Sequence, residues 1–238
     1  MNSEFRVLIN GCSFTRGPIS WPYHLKTIHQ TGFTNLALSS AGNTYIHEST
    51  VAELAKRSYQ GVIVMWSGLT RVDTRVAYPE YFTDTVYTSE YQHKTNDWPE
   101  KIVEPIDDSA FIDRSWVFGL GHVNRDNRIF SSKLFEGTYK YMESSQFAFH
   151  LLVKIISLQY TLKSLHIPYI FTLYQPYQDI LKEHEDLAKL VDWDSFFIND
   201  NIYEIAKHNK DLDKDGHPGV KSNKQWADLL DKEIERKF

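Results

Sequence analysis

A single cysteine, Cys12, excludes an intrachain disulfide, and with it any small scaffold that depends on disulfide staples. The thiol count fits a reducing compartment. No apolar run approaches the ~20 residues of a membrane span, and the opening Met1-Asn2-Ser3-Glu4 lacks the charged and apolar regions of a secretory signal. The expected location is therefore cytoplasmic, a host cytoplasm if the source is a virus. Positive charge is also short: 26 Lys and Arg stand against 31 Asp and Glu, net −5, with no basic cluster. That excludes the electrostatic footprint of a nucleic-acid binder, and neither nucleic acid nor membrane is an expected partner. Internal repeats and low-complexity tracts are absent, so solenoids and disordered linkers drop out.

What is present alternates strand and helix. Phe5 to Ile9 reads as a first strand and Phe33 to Leu38 as a shorter one, closed by Ser39-Ser40-Ala41-Gly42-Asn43. Residues 44–59 carry Ile46, Val51, Leu54 and Ala55 at helical spacing. Gly61 then releases the fully apolar run Val62-Ile63-Val64-Met65-Trp66, the signature of a buried parallel strand. A helix is expected over about 143–165, a strand over 169–174, helical pieces from 179 to 206, a loop from 211 to 219, and a closing helix over about 223–235. The alternation predicts a single α/β domain over 1–238 with a parallel sheet of about five strands. Between 74 and 139 the periodicity dissolves into a stretch rich in Tyr, Phe, Trp, Pro and Asp, too long for a plain loop. It reads as an insertion serving as lid or interface, its aromatic residues, Tyr78, Tyr81, Phe82, Tyr87, Tyr91, Trp98 and Trp116 among them, suited to sugar stacking, an acyl pocket or a homo-oligomer contact.

Two short motifs carry chemistry. Asn10-Gly11-Cys12-Ser13-Phe14-Thr15 places a serine on a glycine-flanked turn at the carboxyl end of strand one, where open α/β sheets bind ligands. Asp215-Gly216-His217-Pro218-Gly219 supplies a histidine on a late loop. A serine hydroxyl is a poor nucleophile until a base takes its proton, and a third group must orient that base. Cys12, next to Ser13, points the other way, into the core.

The order of these motifs resembles that of the SGNH, or GDSL-like, hydrolases, esterases and lipases of three-layer α/β/α, flavodoxin-like fold. The resemblance makes Ser13 the nucleophile, with Cys12 where the family name implies aspartate. Asn35-Leu36-Ala37 followed by Ala41-Gly42-Asn43 is similar to the second block, which implies Gly42 as an oxyanion-hole glycine. The third block's asparagine is missing from Trp66-Ser67-Gly68-Leu69-Thr70-Arg71, leaving Thr70 and Ser67, or Asn43 or Arg71, as substitutes. In the fifth block His217 matches, but the residue three before it is Lys214. The orienting acid is then Asp215, with Asp213 second. Arg71 and Asp73 form a charged pair suited to substrate binding or to tying the insertion to the core. The activity implied is metal-independent hydrolysis of a carboxylic ester with a short acyl group, such as acetyl on a carbohydrate, through an acyl-serine, with no cofactor.

Three rivals bear on the same residues. Asp211-Leu212-Asp213-Lys214-Asp215-Gly216 opens like an EF-hand, but position twelve is Ser222 and Pro218 interrupts the loop. Gly11 to Gly17 lacks the Gly-Lys-Ser/Thr ending of a phosphate-cradling loop. A binding or assembly module that keeps the fold without catalysis, and an acyltransferase using the same serine, share the whole pattern.

Overall fold

The computed structural model describes residues 6–26, 32–39, 41–75, 116–119, 142–197 and 201–238. Three strands form the centre of the molecule: β1 (Val7–Asn10), β3 (Gly61–Trp66) and β6 (Tyr169–Leu173), every residue of each buried. Their continuous apolar runs are what a parallel strand covered on both faces requires. Two shorter strands close the edges, β2 (Phe33–Asn35) beside β1 and β7 (Phe196–Phe197) beside β6. The order is β2-β1-β3-β6-β7, all parallel, with Ile9 between Asn35 and Ile63 in register.

Helix α1 (Asn43–Leu54) packs on α2 (Ser144–Ser164), and α5 (Ile202–Asn209) packs on α6 (Val220–Lys237), giving helical layers about the sheet. Helix α2 buries Phe147, Leu151, Ile155, Leu158 and Leu162, the side marked by its spacing. Helix α6 buries Trp226, whose ring lies 5.0 Å from Trp21 and 5.6 Å from Phe197. The region expected to be helical in pieces holds α3 (Gln178–Lys182), α4 (Glu185–Ala188), α5 and the edge strand β7, two residues being too few to show an alternating pattern. No helix among the described residues is long and apolar enough to cross a membrane.

Among the described residues, the 74–139 stretch and the two residues before it contribute one antiparallel pair, β4 (Val72–Arg75) with β5 (Trp116–Gly119). Tyr78, Tyr81, Phe82, Tyr87, Tyr91 and Trp98 lie outside the described residues, and so does any lid or oligomer contact they make.

The chain runs outward from β1 to β2 on one side and crosses back to β3 on the other. Connections leaving β1 and β3 therefore diverge, opening a crevice at their carboxyl ends. Asn10 holds one wall in place: its Nδ2 lies 2.8 Å from Ser49 Oγ and 2.9 Å from Thr50 Oγ1 on α1, while its Oδ1 accepts the Gly11 N–H. Ser13 follows β1 and Arg71 follows β3, so both stand at this switch point.

Candidate active site

Ser13 sits on a turn closed by the Thr15 N–H donating to the Cys12 carbonyl at 2.9 Å. The turn is pinned from outside, because the Asn35 side chain donates to the Thr15 carbonyl at 3.0 Å and Ser20 Oγ donates to it at 2.9 Å. Cys12 is fully buried, while Ser13 is half-buried at the crevice.

The 211–219 loop is a tight hairpin. The Asp213 N–H donates to the His217 carbonyl at 2.9 Å, Leu212 bridges Pro218, and Gly216 takes φ +79° at the reversal. A side chain at position 216 would strain that left-handed backbone. Helix α6 fixes the hairpin: the Asn223 side chain donates to the Pro218 carbonyl at 2.7 Å, and the Asp211 carboxylate accepts the Ser222 N–H at 2.8 Å. This cap, with Gly219 extended before it, lets α6 begin at Val220, earlier than its apolar spacing implied. Asp211 and Asp213 thus spend their carboxylates on backbone N–H groups, and among the described residues no three His, Cys, Asp or Glu side chains converge as metal ligands.

The two loops meet across the crevice. His217 Nε2 lies 2.8 Å from Ser13 Oγ, a hydrogen bond between residues 204 apart in sequence. Phe14 walls the imidazole, its ring 5.1 Å from His217 and 4.6 Å from Tyr174. Burial pushes the His217 pKa below its ordinary value; Asp213 opposes this, Arg71 adds to it and Asp215 opposes it. The imidazole is accordingly neutral at pH 7 and able to accept a proton.

Asp213, rather than Asp215, is the carboxylate nearest the ring. Its Oδ1 accepts the N–H groups of Asp215 at 2.9 Å and His217 at 2.8 Å and lies 3.9 Å from His217 Nδ1. Asp215 is exposed and, among the described residues, forms no ion pair or hydrogen bond with the imidazole. An aspartate that receives two N–H groups from its own turn must fold back over it, which carries the carboxylate toward the histidine four residues on.

The backbone N–H groups of Ser13 and Gly42 donate no hydrogen bond among the described residues. Gly42 precedes α1 with extended backbone, and a Cβ there would come within 2.8 Å of the Asp73 carboxyl carbon and 3.0 Å of the Arg71 carbonyl. Only glycine fits that approach. The Asn43 side chain ties α1 to the end of β3: its Oδ1 accepts the Ser67 N–H at 2.8 Å, and its Nδ2 faces the carbonyls of Ser67 and Gly68 at 3.3 and 3.2 Å. Its amide is thereby used within the protein. Ser67 Oγ is enclosed without a partner, and Thr70 stands half-buried on the turn, with no hydrogen bond among the described residues.

Arg71 and Asp73 part company. Asp73 is buried and accepts the N–H groups of Thr44 at 3.1 Å and Tyr45 at 2.8 Å, capping α1 in place of a local residue. Burial pushes its pKa up to about 6, against those N–H groups and the charge of Lys154. The charge of Arg71 acts on His217, Tyr174 and Tyr177, which puts it within electrostatic reach of the crevice. Neither the Asn43 clamp nor the Asp73 cap stands out in the sequence, since each is made by a residue distant from the group it serves.

No family model and no curated protein matches this chain. Solved structures do resemble it. A psychrotrophic esterase, EstA from Pseudoalteromonas sp., solved as inhibited by monoethylphosphonate, superposes with a TM-score of 0.51 over 97% of both chains at 10% identity. A GDSL-like lipase from Bacteroides thetaiotaomicron superposes with a TM-score of 0.50 at 13% identity, covering 99% of this chain and 90% of its own. Identities this low speak to architecture: the chain has the three-layer α/β/α fold of the SGNH/GDSL-like hydrolases.

Proposed function

We propose that this protein is a serine esterase that cleaves a carboxylic ester through an acyl-serine intermediate. The observation that carries the reading is the 2.8 Å hydrogen bond from Ser13 Oγ to His217 Nε2 at the switch point of the sheet. In the first step Ser13 Oγ attacks the ester carbonyl as Nε2 takes its proton. The N–H groups of Ser13 and Gly42 receive the negative charge on the tetrahedral oxygen, each such donor being worth about 10²–10³ in rate. His217 then protonates the departing alcohol. Water, deprotonated by His217, releases the acyl group in a second tetrahedral step. Asp213 orients His217 and stabilises the imidazolium from 3.9 Å.

A short acyl group is the proposed preference. The test is hydrolysis of 4-nitrophenyl esters of increasing acyl length by wild type and by Ser13→Ala. Turnover that falls with chain length and is abolished in the variant supports the reading. Folded wild-type protein that hydrolyses none of them points instead to a binding module on the same fold.

A further inference from the structure

Among the described residues the Arg71 guanidinium makes no ion pair or hydrogen bond, and Nη1 is shut off from solvent without an acceptor. Arg71 is half-buried, and an enclosed guanidinium nitrogen left without an acceptor is costly, a cost that a ligand oxygen would relieve. The Arg71 charge also opposes the imidazolium that the proposed reaction creates on His217.

Arg71 also lines a cleft of about 230 Å³ between the start of α1, the 69–72 segment and α2. The same cleft is lined by a second cation, Lys154, whose only hydrogen bond among the described residues is to the His150 carbonyl of its own helix at 3.4 Å. Asn43 and Thr44 supply polar wall, and among the described residues no carboxylate lines the cleft. Asp73 and Glu48 act on Lys154 from outside it, and Asp73 is engaged by the α1 N–H groups. Arg71 thus belongs to both places, one edge of the cleft and the electrostatic surroundings of the Ser13–His217 pair.

We propose that this cleft binds an oxyanion group carried by the substrate, a carboxylate or a phosphate, so that the preferred esters are anionic. Arg71 is the principal contact, since its planar fork suits either group, and Lys154 adds a point charge. The bound anion neutralises the charge facing His217. This inference rests on the esterase reading for turnover, whereas the binding site stands or falls separately.

Matched esters test it. Wild type is given 3-acetoxybenzoate, 3-acetoxyphenyl phosphate and the neutral methyl 3-acetoxybenzoate. The expected result is a kcat/KM for at least one anion about tenfold or more above the neutral ester, the scale of one charge-assisted hydrogen bond. Whichever anion is preferred names the group. The anionic-to-neutral ratio should collapse in Arg71→Gln, fall in Lys154→Gln and partly recover in Arg71→Lys. A ratio near unity in wild type, or one unchanged in both glutamine variants, overturns the anion site and leaves the esterase reading intact. Calorimetric titration of 3-acetoxybenzoate and of 3-acetoxyphenyl phosphate into Ser13→Ala provides the readout without turnover. Binding of either that Arg71→Gln abolishes supports the site even if no ester is hydrolysed, and absence of binding by both overturns it.

Discussion

Replacing Asp213 by asparagine removes the carboxylate nearest His217 and leaves an oxygen able to accept a hydrogen bond from the same turn. The Asp213 Oδ1 to His217 Nδ1 separation is 3.9 Å, with side-chain exposures of 49% and 34% respectively. At that distance two unit charges interact by about 1 kcal/mol in bulk water and about 4 kcal/mol at an effective dielectric constant of about 20. Solvent screening of a half-exposed carboxylate favours the lower part of this range. Asp213→Asn is therefore expected to lower kcat about 5- to 100-fold, less than removal of a buried triad acid in direct contact with its histidine. A second signature accompanies the loss. Asp213 raises the His217 pKa, so without it the acid limb of kcat/KM moves to lower pH, while Arg71→Gln, which removes an opposing positive charge, moves the limb to higher pH. The assay is the full pH–rate profile of wild type, Asp213→Asn, Asp215→Asn and Arg71→Gln on a neutral ester, with thermal midpoints as a folding control. A larger kcat loss in Asp215→Asn than in Asp213→Asn, or an acid limb that stays in place in Asp213→Asn, refutes the assignment.

Asn43→Ala strips partners from the buried Ser67 N–H and from the Ser67 and Gly68 carbonyls. It should cost about 1–3 kcal/mol for each buried group left unpaired, read from urea denaturation; a variant of unchanged stability but reduced kcat makes the amide an oxyanion donor instead. Asp73→Asn reports on a carboxyl whose pKa is pushed up from 3.8 to about 6 by burial. The folded state holds that proton more tightly than the unfolded chain, so the contribution is greatest below pH 3.8 and declines as pH rises through about 6. Wild type should lose up to about 3 kcal/mol relative to the variant between about pH 4 and pH 7 in paired denaturation curves, and a pH-independent difference contradicts the assignment.

Much of this arrangement is legible in the chain. The apolar runs at 62–66 and 169–173 announce central strands, because a strand covered on both faces has no polar side to interrupt it. The motifs around Ser13 and His217 are short and local, so their placement on loops after β1 and before α6 can be read before their meeting is seen. The choice between Asp213 and Asp215 is of another kind. It depends on which carboxylate the turn draws back onto its own N–H groups, a matter of backbone path that residue counting does not reach. Arg71 and Asp73 look like a natural pair two residues apart, yet strand alternation sends neighbours at even spacing the same way only inside a regular strand, and β4 begins between them. Asp73 instead finds the uncapped N-terminus of α1, which Gly42 cannot cap because it has no side chain. The 74–139 insertion resists reading for the opposite reason: aromatic residues without period fit a small core, a lid or an interface equally well.

The central claim is that Ser13 is an activated nucleophile, and intact-mass analysis after incubation with a fluorophosphonate tests it most directly. The account predicts one stoichiometric adduct, mapped to Ser13, that is absent from Ser13→Ala and from His217→Ala. Folded protein that takes up no label, or an adduct mapped to another residue, contradicts it.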